Sequence, residues 1–289
     1  MAFRVEVAAR GADRLGECPL WDERQKMLWW VDSRWPAVKQ LDPSSGAVMM
    51  LVLPEVIGSI ALRAQGGLLA ATKSGIHLLD PSSGTLEARA NPEAHLPENR
   101  FNDGRCDRQG RFWAGTICDV RRDPTGSLYR FDADFGCTKL RNAILIPNSL
   151  AFSPDGRTMY FADTNRHTIW AYDYDPASGA ASRERVFADT GSGRPDGSCV
   201  DAEGCLWNAE YGAWRLVRYT PGGKVDRVIE VPVANPTCCA FGGEDFGTLY
   251  VTTATQRLTP EDLAKQPLAG SLLALRPGAK GLPESRFAG

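Results

Sequence analysis

One pattern returns six times along this chain: a turn built on Asp or Gly, followed by a short strand that carries a large aromatic or aliphatic residue. It occurs as Asp22 before Leu28-Trp29-Trp30-Val31-Asp32, Gln65-Gly66-Gly67 before Leu68-Leu69-Ala70-Ala71-Thr72, and Asp107 before Phe112-Trp113-Ala114-Gly115-Thr116. It returns as Asp155-Gly156 before Met159-Tyr160-Phe161-Ala162-Asp163, Asp201 before Leu206-Trp207-Asn208-Ala209, and Asp245 before Leu249-Tyr250-Val251-Thr252-Thr253. Asp and Gly supply the backbone angles of a turn, and aromatics suit a pleated surface. With Trp29, Leu69, Trp113, Tyr160, Trp207 and Tyr250 as markers, the steps are 40, 44, 47, 47 and 43 residues. A second strand follows the marker and ends in a turn, as in Leu41-Asp42-Pro43-Ser44-Ser45-Gly46 and again Leu79-Asp80-Pro81-Ser82-Ser83-Gly84. Four short strands per forty-odd residues, six times over, is the arithmetic of a propeller blade.

The expected fold is therefore all-β, a six-bladed β-propeller with four antiparallel strands per blade, with residues 1–289 as a single domain. The final repeat is short of sequence and residues 3–9 are left over at the start. The N-terminal strand is thus expected to join residues 270–275 in the last blade and close the ring. The one helical candidate is 259–264, where Thr259 can cap, Pro260 takes the first position and Glu261 and Asp262 follow.

Charge excludes some partners. With 33 basic and 35 acidic residues the net charge is −2, which gives no electrostatic case for nucleic acid or an anionic membrane. No run approaches the roughly 20 apolar residues of a membrane span, and the first ten residues lack the apolar core of a signal peptide. A cytoplasmic protein with a small-molecule partner is expected, as a monomer or weak oligomer. The eight cysteines form no CxxC pair, so buried thiols are expected and a thiolate zinc site is not.

In a propeller the innermost strand of each blade lines the central channel, and a polar residue there is aimed at whatever occupies the axis. Measured back from the markers, Glu17 precedes Trp29 by 12, Asn102 precedes Trp113 by 11, Asn148 precedes Tyr160 by 12 and Asp196 precedes Trp207 by 11. The same offset gives Ile57 or Gly58 in the second repeat and Cys238 or Cys239 in the sixth. Two carboxylates and two amides converging in a narrow channel are costly to desolvate without compensation. A divalent cation is the simplest compensation: calcium, magnesium or manganese by oxygen preference, with zinc and iron admissible. The alternative is that these residues cap strand ends or hold water.

The motifs Leu15-Gly16-Glu17-Cys18-Pro19-Leu20-Trp21, Asn99-Arg100-Phe101-Asn102-Asp103-Gly104, Pro195-Asp196-Gly197-Ser198-Cys199-Val200-Asp201 and Cys238-Cys239-Ala240-Phe241-Gly242-Gly243 resemble those of the regucalcin (senescence marker protein 30) and gluconolactonase family. So does Gln266-Pro267-Leu268-Ala269-Gly270. The resemblance runs from about Leu15 to the C-terminus. It implies a bacterial-type sugar lactonase: a six-bladed propeller with one divalent metal ion in its channel. Carried over, the three metal ligands fall on Glu17, Asn148 and Asp196, with Asp196 also the acid/base. Substrate contacts fall on Arg100 and Asn102. The family's paired glutamates are replaced by Asp119 and Val120, so either Asp119 takes over the substrate contact or the contact is lost.

Lactone hydrolysis needs a polarised carbonyl, a deprotonated water and a stabilised oxyanion. Asp196 is expected to accept the water's proton, while Arg100 and Asn102 hold hydroxyls or the oxyanion. His77, His95 and His167 sit in no nucleophile motif, which speaks against a Ser-His-Asp enzyme. Asp103 should point away from Asn102 and bond backbone. Glu210, Tyr211 and Trp214 are candidate substrate walls. Two other readings remain open: a calcium- or ligand-binding propeller without turnover, and a broader esterase or organophosphate hydrolase, which would need an apolar mouth.

Overall fold

In a computed structural model that describes residues 3–289, the chain forms six four-stranded antiparallel sheets. Each blade opens with its innermost strand: Gly16–Asp22, Ile57–Leu62, Asn99–Cys106, Pro147–Phe152, Arg194–Val200 and Pro236–Gly242. The markers explain the repeat physically. Trp29, Leu69, Trp113, Tyr160, Trp207 and Tyr250 each fall in a different one of six apolar clusters, and each cluster fills the seam between two successive blades. One large side chain per repeat is what a ring of tilted sheets needs, because burying that area against the next blade is the main stabilising term. The seam of Trp21, Leu28, Trp30, Tyr250 and Leu272 joins the last blade to the first and completes the ring.

Closure follows the sequence expectation. Val5–Ala9 pairs antiparallel with Leu272–Leu275, with Val5 opposite Leu275 and Val7 opposite Leu273, as the outermost strand of the last blade. The turns behave as their composition dictates. Asp42 accepts from the Ser44 amide at 2.8 Å and from the Ser44 and Ser45 hydroxyls at 2.6 and 2.8 Å, and Asp80 repeats the arrangement. The helix is Pro260–Lys265, opened by a capping box between Thr259 and Asp262.

Two features were not expected. First, every inner strand breaks register with its neighbour part-way along: between Glu17 and Leu20, Ile57 and Ser59, Phe101 and Gly104, Asn148 and Ala151, Pro195 and Ser198, and Pro236 and Cys238. An extra residue in a strand bends it and re-aims side chains. Cys18 and Ser149 adopt the left-handed region there, at φ 51° and 58°. Second, residues 276–289 run as a strap across the face opposite the strand ends that carry Glu17 and Asp196. The strap exchanges backbone bonds with Phe246, Ala202, Leu62, Ala64 and Gly110, buries Phe287, and pairs Arg286 with Asp22 and Glu284 with Arg105.

No helix among the described residues is long and apolar enough to cross a membrane. None of the eight cysteines is in a disulfide, and only Cys137 is exposed.

Candidate functional site

The register breaks place the site. At Glu17, Asn102, Asn148 and Asp196 the inner strands swing their side chains into a small cavity that is open to solvent at one end of the channel. The second blade contributes none, because Gly58 lies so close to the third blade that any Cβ would collide with the Phe101 and Asn102 carbonyls. The cavity is lined by Glu17, Arg100, Asn102, Asn148 and Asp196, together with Arg34, Arg122, Thr164, Arg194, Tyr211, Gln256 and Arg257.

A continuous hydrogen-bond chain fixes the amides. Thr164 donates from Oγ1 to the Pro195 carbonyl at 2.7 Å and accepts from Asn148 Nδ2 at 2.7 Å, which turns Asn148 Oδ1 toward Asn102. Asn102 Nδ2 donates to that oxygen at 3.0 Å and to the Pro147 carbonyl at 2.9 Å. Asn102 Oδ1 in turn accepts from Arg100 Nη1 at 3.0 Å. Such fully connected buried networks hold side chains to one arrangement.

The carboxylates are a different matter. Glu17 and Asp196 have no ion-pair partner among the described residues. Burial first, and then the nearby charges of Asp196 and Asp103, push the Glu17 carboxyl well above its usual range, with Arg100 offsetting part of the effect. Burial and then Asp103 push Asp196 well up as well, against Arg194. Asp103 accepts the Leu150 amide at 2.9 Å, as its place on the strand required, and its carboxyl is also raised by burial.

Asp119 is not on the cavity wall. It sits behind Arg34 and Arg100, bound by Arg34 in two parallel bonds of 2.6 Å, with Arg100 Nε at 3.1 Å and Arg122 at 3.6 Å. Burial alone would raise its carboxyl, but the bonds and charges of Arg34 and Arg100 outweigh that and hold it well below the usual carboxylate range. Val120, beside it, is 70% exposed.

Of the weaker sequence candidates, Tyr211 lines the cavity, donating from its hydroxyl to the Gln256 carbonyl at 2.9 Å. Glu210 does not: it is buried against Arg215 and Tyr219. Trp214 is exposed and away from the cavity. None of the histidines lines it: His77 bonds within its own hairpin, His167 reaches the Gly193 carbonyl, and His95 borders a separate surface hollow. Sequence reasoning missed Arg34, Arg122, Thr164, Arg194, Gln256 and Arg257. Most share a signal, lying in loops four to nine residues after a marker: Arg34 after Trp29, Arg122 after Trp113, Thr164 after Tyr160, Gln256 and Arg257 after Tyr250.

Residues 15–255 match the family described as SMP-30/Gluconolactonase/LRE-like region. The 6-deoxy-6-sulfogluconolactonase of Pseudomonas putida is 41% identical over 287 residues, covering 99% of this chain and 99% of that protein. Regucalcin of Xenopus laevis is 33% identical over 297 residues, covering 100% and 99%. Among solved structures, the calcium-binding regucalcin of Agrobacterium tumefaciens str. C58 superposes with a TM-score of 0.95 at 34% identity, covering 99% of this chain and 98% of that one.

Proposed function

The chain belongs to the SMP-30/gluconolactonase/LRE-like family, and we propose that it hydrolyses the cyclic ester of a sugar (aldono-) lactone to the free aldonic acid. The observation that carries this reading is the pairing of two acids left short of positive charge, Glu17 and Asp196, with the Arg100–Asn102 pair on the same cavity wall. The relative named as a sulfogluconolactonase supports a sugar lactone as the substrate class.

One divalent metal ion fits the floor of this cavity. The donors are all oxygen, both carboxyls are pushed above their usual range, and Thr164 fixes the orientation of the Asn148 amide. Glu17, Asn148 and Asp196 would hold it. When bound, it would polarise the lactone carbonyl and neutralise the two carboxylates. Calcium has the support of the calcium-binding Agrobacterium relative; magnesium, manganese, zinc and iron are the alternatives the donors allow.

The protein groups divide the remaining work. Asp196 takes the proton of the attacking water. Asn102 has both amide hydrogens committed to Pro147 and Asn148, so it offers substrate only an acceptor on Oδ1, suited to a ring hydroxyl. Arg100 has Nη1 committed to Phe101 and Asn102, which leaves Nη2 to donate to the developing oxyanion. Asp119 works through Arg34 and Arg100, holding their guanidinium planes in place. The arginine-lined mouth argues against an esterase for apolar substrates, and a merely structural ion would need no Arg100 beside it.

A panel of five- and six-carbon aldonolactones tests the reading by proton release, after chelation and after return of each metal. Metal-dependent release on sugar lactones, with unsubstituted butyrolactone much poorer, is expected. Equal rates with and without chelator, or no release on any lactone, would overturn it.

A further inference from the structure

Five arginines line the cavity, Arg34, Arg100, Arg122, Arg194 and Arg257, against two carboxylates, Glu17 and Asp196. They are not equally provided for. Asp119 takes Arg34 and Arg100 at bonding distance and Arg122 only at 3.6 Å. Arg194 makes direct contact only with neutral groups, Asn165 Oδ1 at 3.1 Å and the Tyr211 ring at 5.8 Å, and its charge bears on Asp196 without an ion pair. Arg257 makes no hydrogen bond or ion pair among the described residues. Its backbone is nonetheless held in place, in the left-handed region at φ 67°, and the preceding Gln256 is pinned by Tyr211 and by Arg34 Nε. Non-glycine residues seldom adopt that region unless the surroundings enforce it.

Gathering like charges costs repulsion unless an opposite charge joins them. Here Asp119, Arg34 and Arg257 all bear on Arg122, and Asp196, Arg257, Arg194 and Glu17 all bear on Tyr211, so the arginines and the floor acids share one field across the mouth. The acids within reach are Asp119 behind the wall and Glu17 and Asp196 at the floor, three carboxylates against five arginines. The depth gradient matters too: Asp196 and Asn148 are buried at the floor, Arg122 and Arg194 are half-buried, and Arg257 is exposed at the rim.

We propose that Arg257, Arg194 and Arg122 bind an anionic substituent carried by the lactone on the part of the sugar farthest from its ester carbonyl. The preferred substrate is then a negatively charged sugar lactone, an inference that rests on the lactonase reading above. Sulfonate, phosphate and carboxylate share the required chemistry, since each offers oxygens that the fixed fork of a guanidinium can engage in pairs.

The test compares the metal-loaded full chain on hexonolactones that differ only at the terminal carbon: hydroxyl, carboxylate, sulfonate or phosphate. A charged hydrogen bond changes affinity roughly 10- to 100-fold, so at least one anionic lactone should exceed the neutral one in kcat/KM by that factor, chiefly through KM. Arg257→Glu should lower the ratio of anionic to neutral kcat/KM about tenfold or more, and Arg194→Ala should lower it in the same direction. The rank of the three anions identifies which one the site is built for. If neutral lactones are hydrolysed but no anion is preferred, the inference fails and the lactonase reading stands. If no lactone is hydrolysed, that reading fails, and calorimetric binding of a terminally sulfonated hexitol against the plain hexitol decides the inference. Tighter binding of the sulfonate that is lost in Arg257→Glu sustains an anion site; equal binding overturns it.

Discussion

Asp196 and Asp201 bracket the same inner strand, Arg194–Val200, and the two ends of that strand treat a buried carboxylate in opposite ways. Asp201 accepts the Glu203 and Cys205 amides at 3.0 Å each, Trp207 Nε1 at 2.8 Å and Arg218 Nε at 2.9 Å, and Arg218 Nη2 lies 2.7 Å away. Asp196 has no such set, and its carboxyl is pushed up by burial and by Asp103. Proximity alone points to the Asp201 end: Asp201, Glu203 and Cys205 form a group whose ligand atoms all lie within 4.8 Å of one another. Arg218, bonded to Asp201, Glu203 and Asp226, already supplies the positive charge there. The two acids therefore differ in the positive charge each is given, a difference that acid crowding by itself does not reveal.

Asp196→Asn should have the largest effect. Removing a general base costs about 10²- to 10⁴-fold in turnover, while the metal-free variant should melt no lower than the parent, because the substitution deletes an uncompensated buried acid. A variant that keeps near-parent rates would dissolve the distinction between the two ends. At the other end Arg218→Ala leaves Asp201 buried without its partner and should destabilise the fold by about 3–5 kcal/mol in denaturant titration. Loss of less than about 1 kcal/mol would mean that Asp201 is as underprovided as Asp196.

Glu17→Gln should weaken metal binding measured by competition with a chelator. Its second readout is pH. The folded-state carboxyl of Glu17 lies above its unfolded value, so its contribution to stability is full below about pH 4.3 and is lost as pH rises through the folded value. The metal-free parent should then melt lower as pH rises above that window, and Glu17→Gln should flatten the slope. Parallel slopes in the two proteins would rule out Glu17 as the source. Smallest of all is Val120→Glu. Val120 is 70% exposed and does not line the cavity, so lactone preferences should stay within about twofold. A larger shift would place the cavity mouth wider than the structure draws it.

The fold was legible because each repeat invests one large residue in a seam, and a seam filler such as Trp113 or Trp207 recurs at a period that no local accident imitates. The floor of the cavity was legible for a related reason: Glu17, Asn148 and Asp196 break an apolar strand at a fixed phase. The walls were less so. Arg194 and Arg257 are two among 33 basic residues, and nothing in their immediate neighbours marks them as facing inward. The register breaks were invisible because strand alternation carries no sign of an inserted residue, and Cys18 and Ser149 are not residues that advertise a left-handed backbone. The family resemblance leaves open whether Asp119 takes over a substrate contact, and the structure sets it one layer back, where arginines take both its oxygens.

The clasp between Val5–Ala9 and Leu272–Leu275, from which the strap of residues 276–289 runs on to other blades, also sets the order of events at birth. Val5–Ala9 leaves the ribosome long before Leu272–Leu275 and has no partner until that segment has been made. Five blades can form their own hairpins in the meantime, yet the nascent ring stays open with unpaired strand edges at both lips. The stretch that seals it, Leu272–Leu275 followed by the strap, is a small fraction of the chain but the whole of its latch. A stalled or clipped product lacking it would be a sticky intermediate rather than a slightly shorter enzyme.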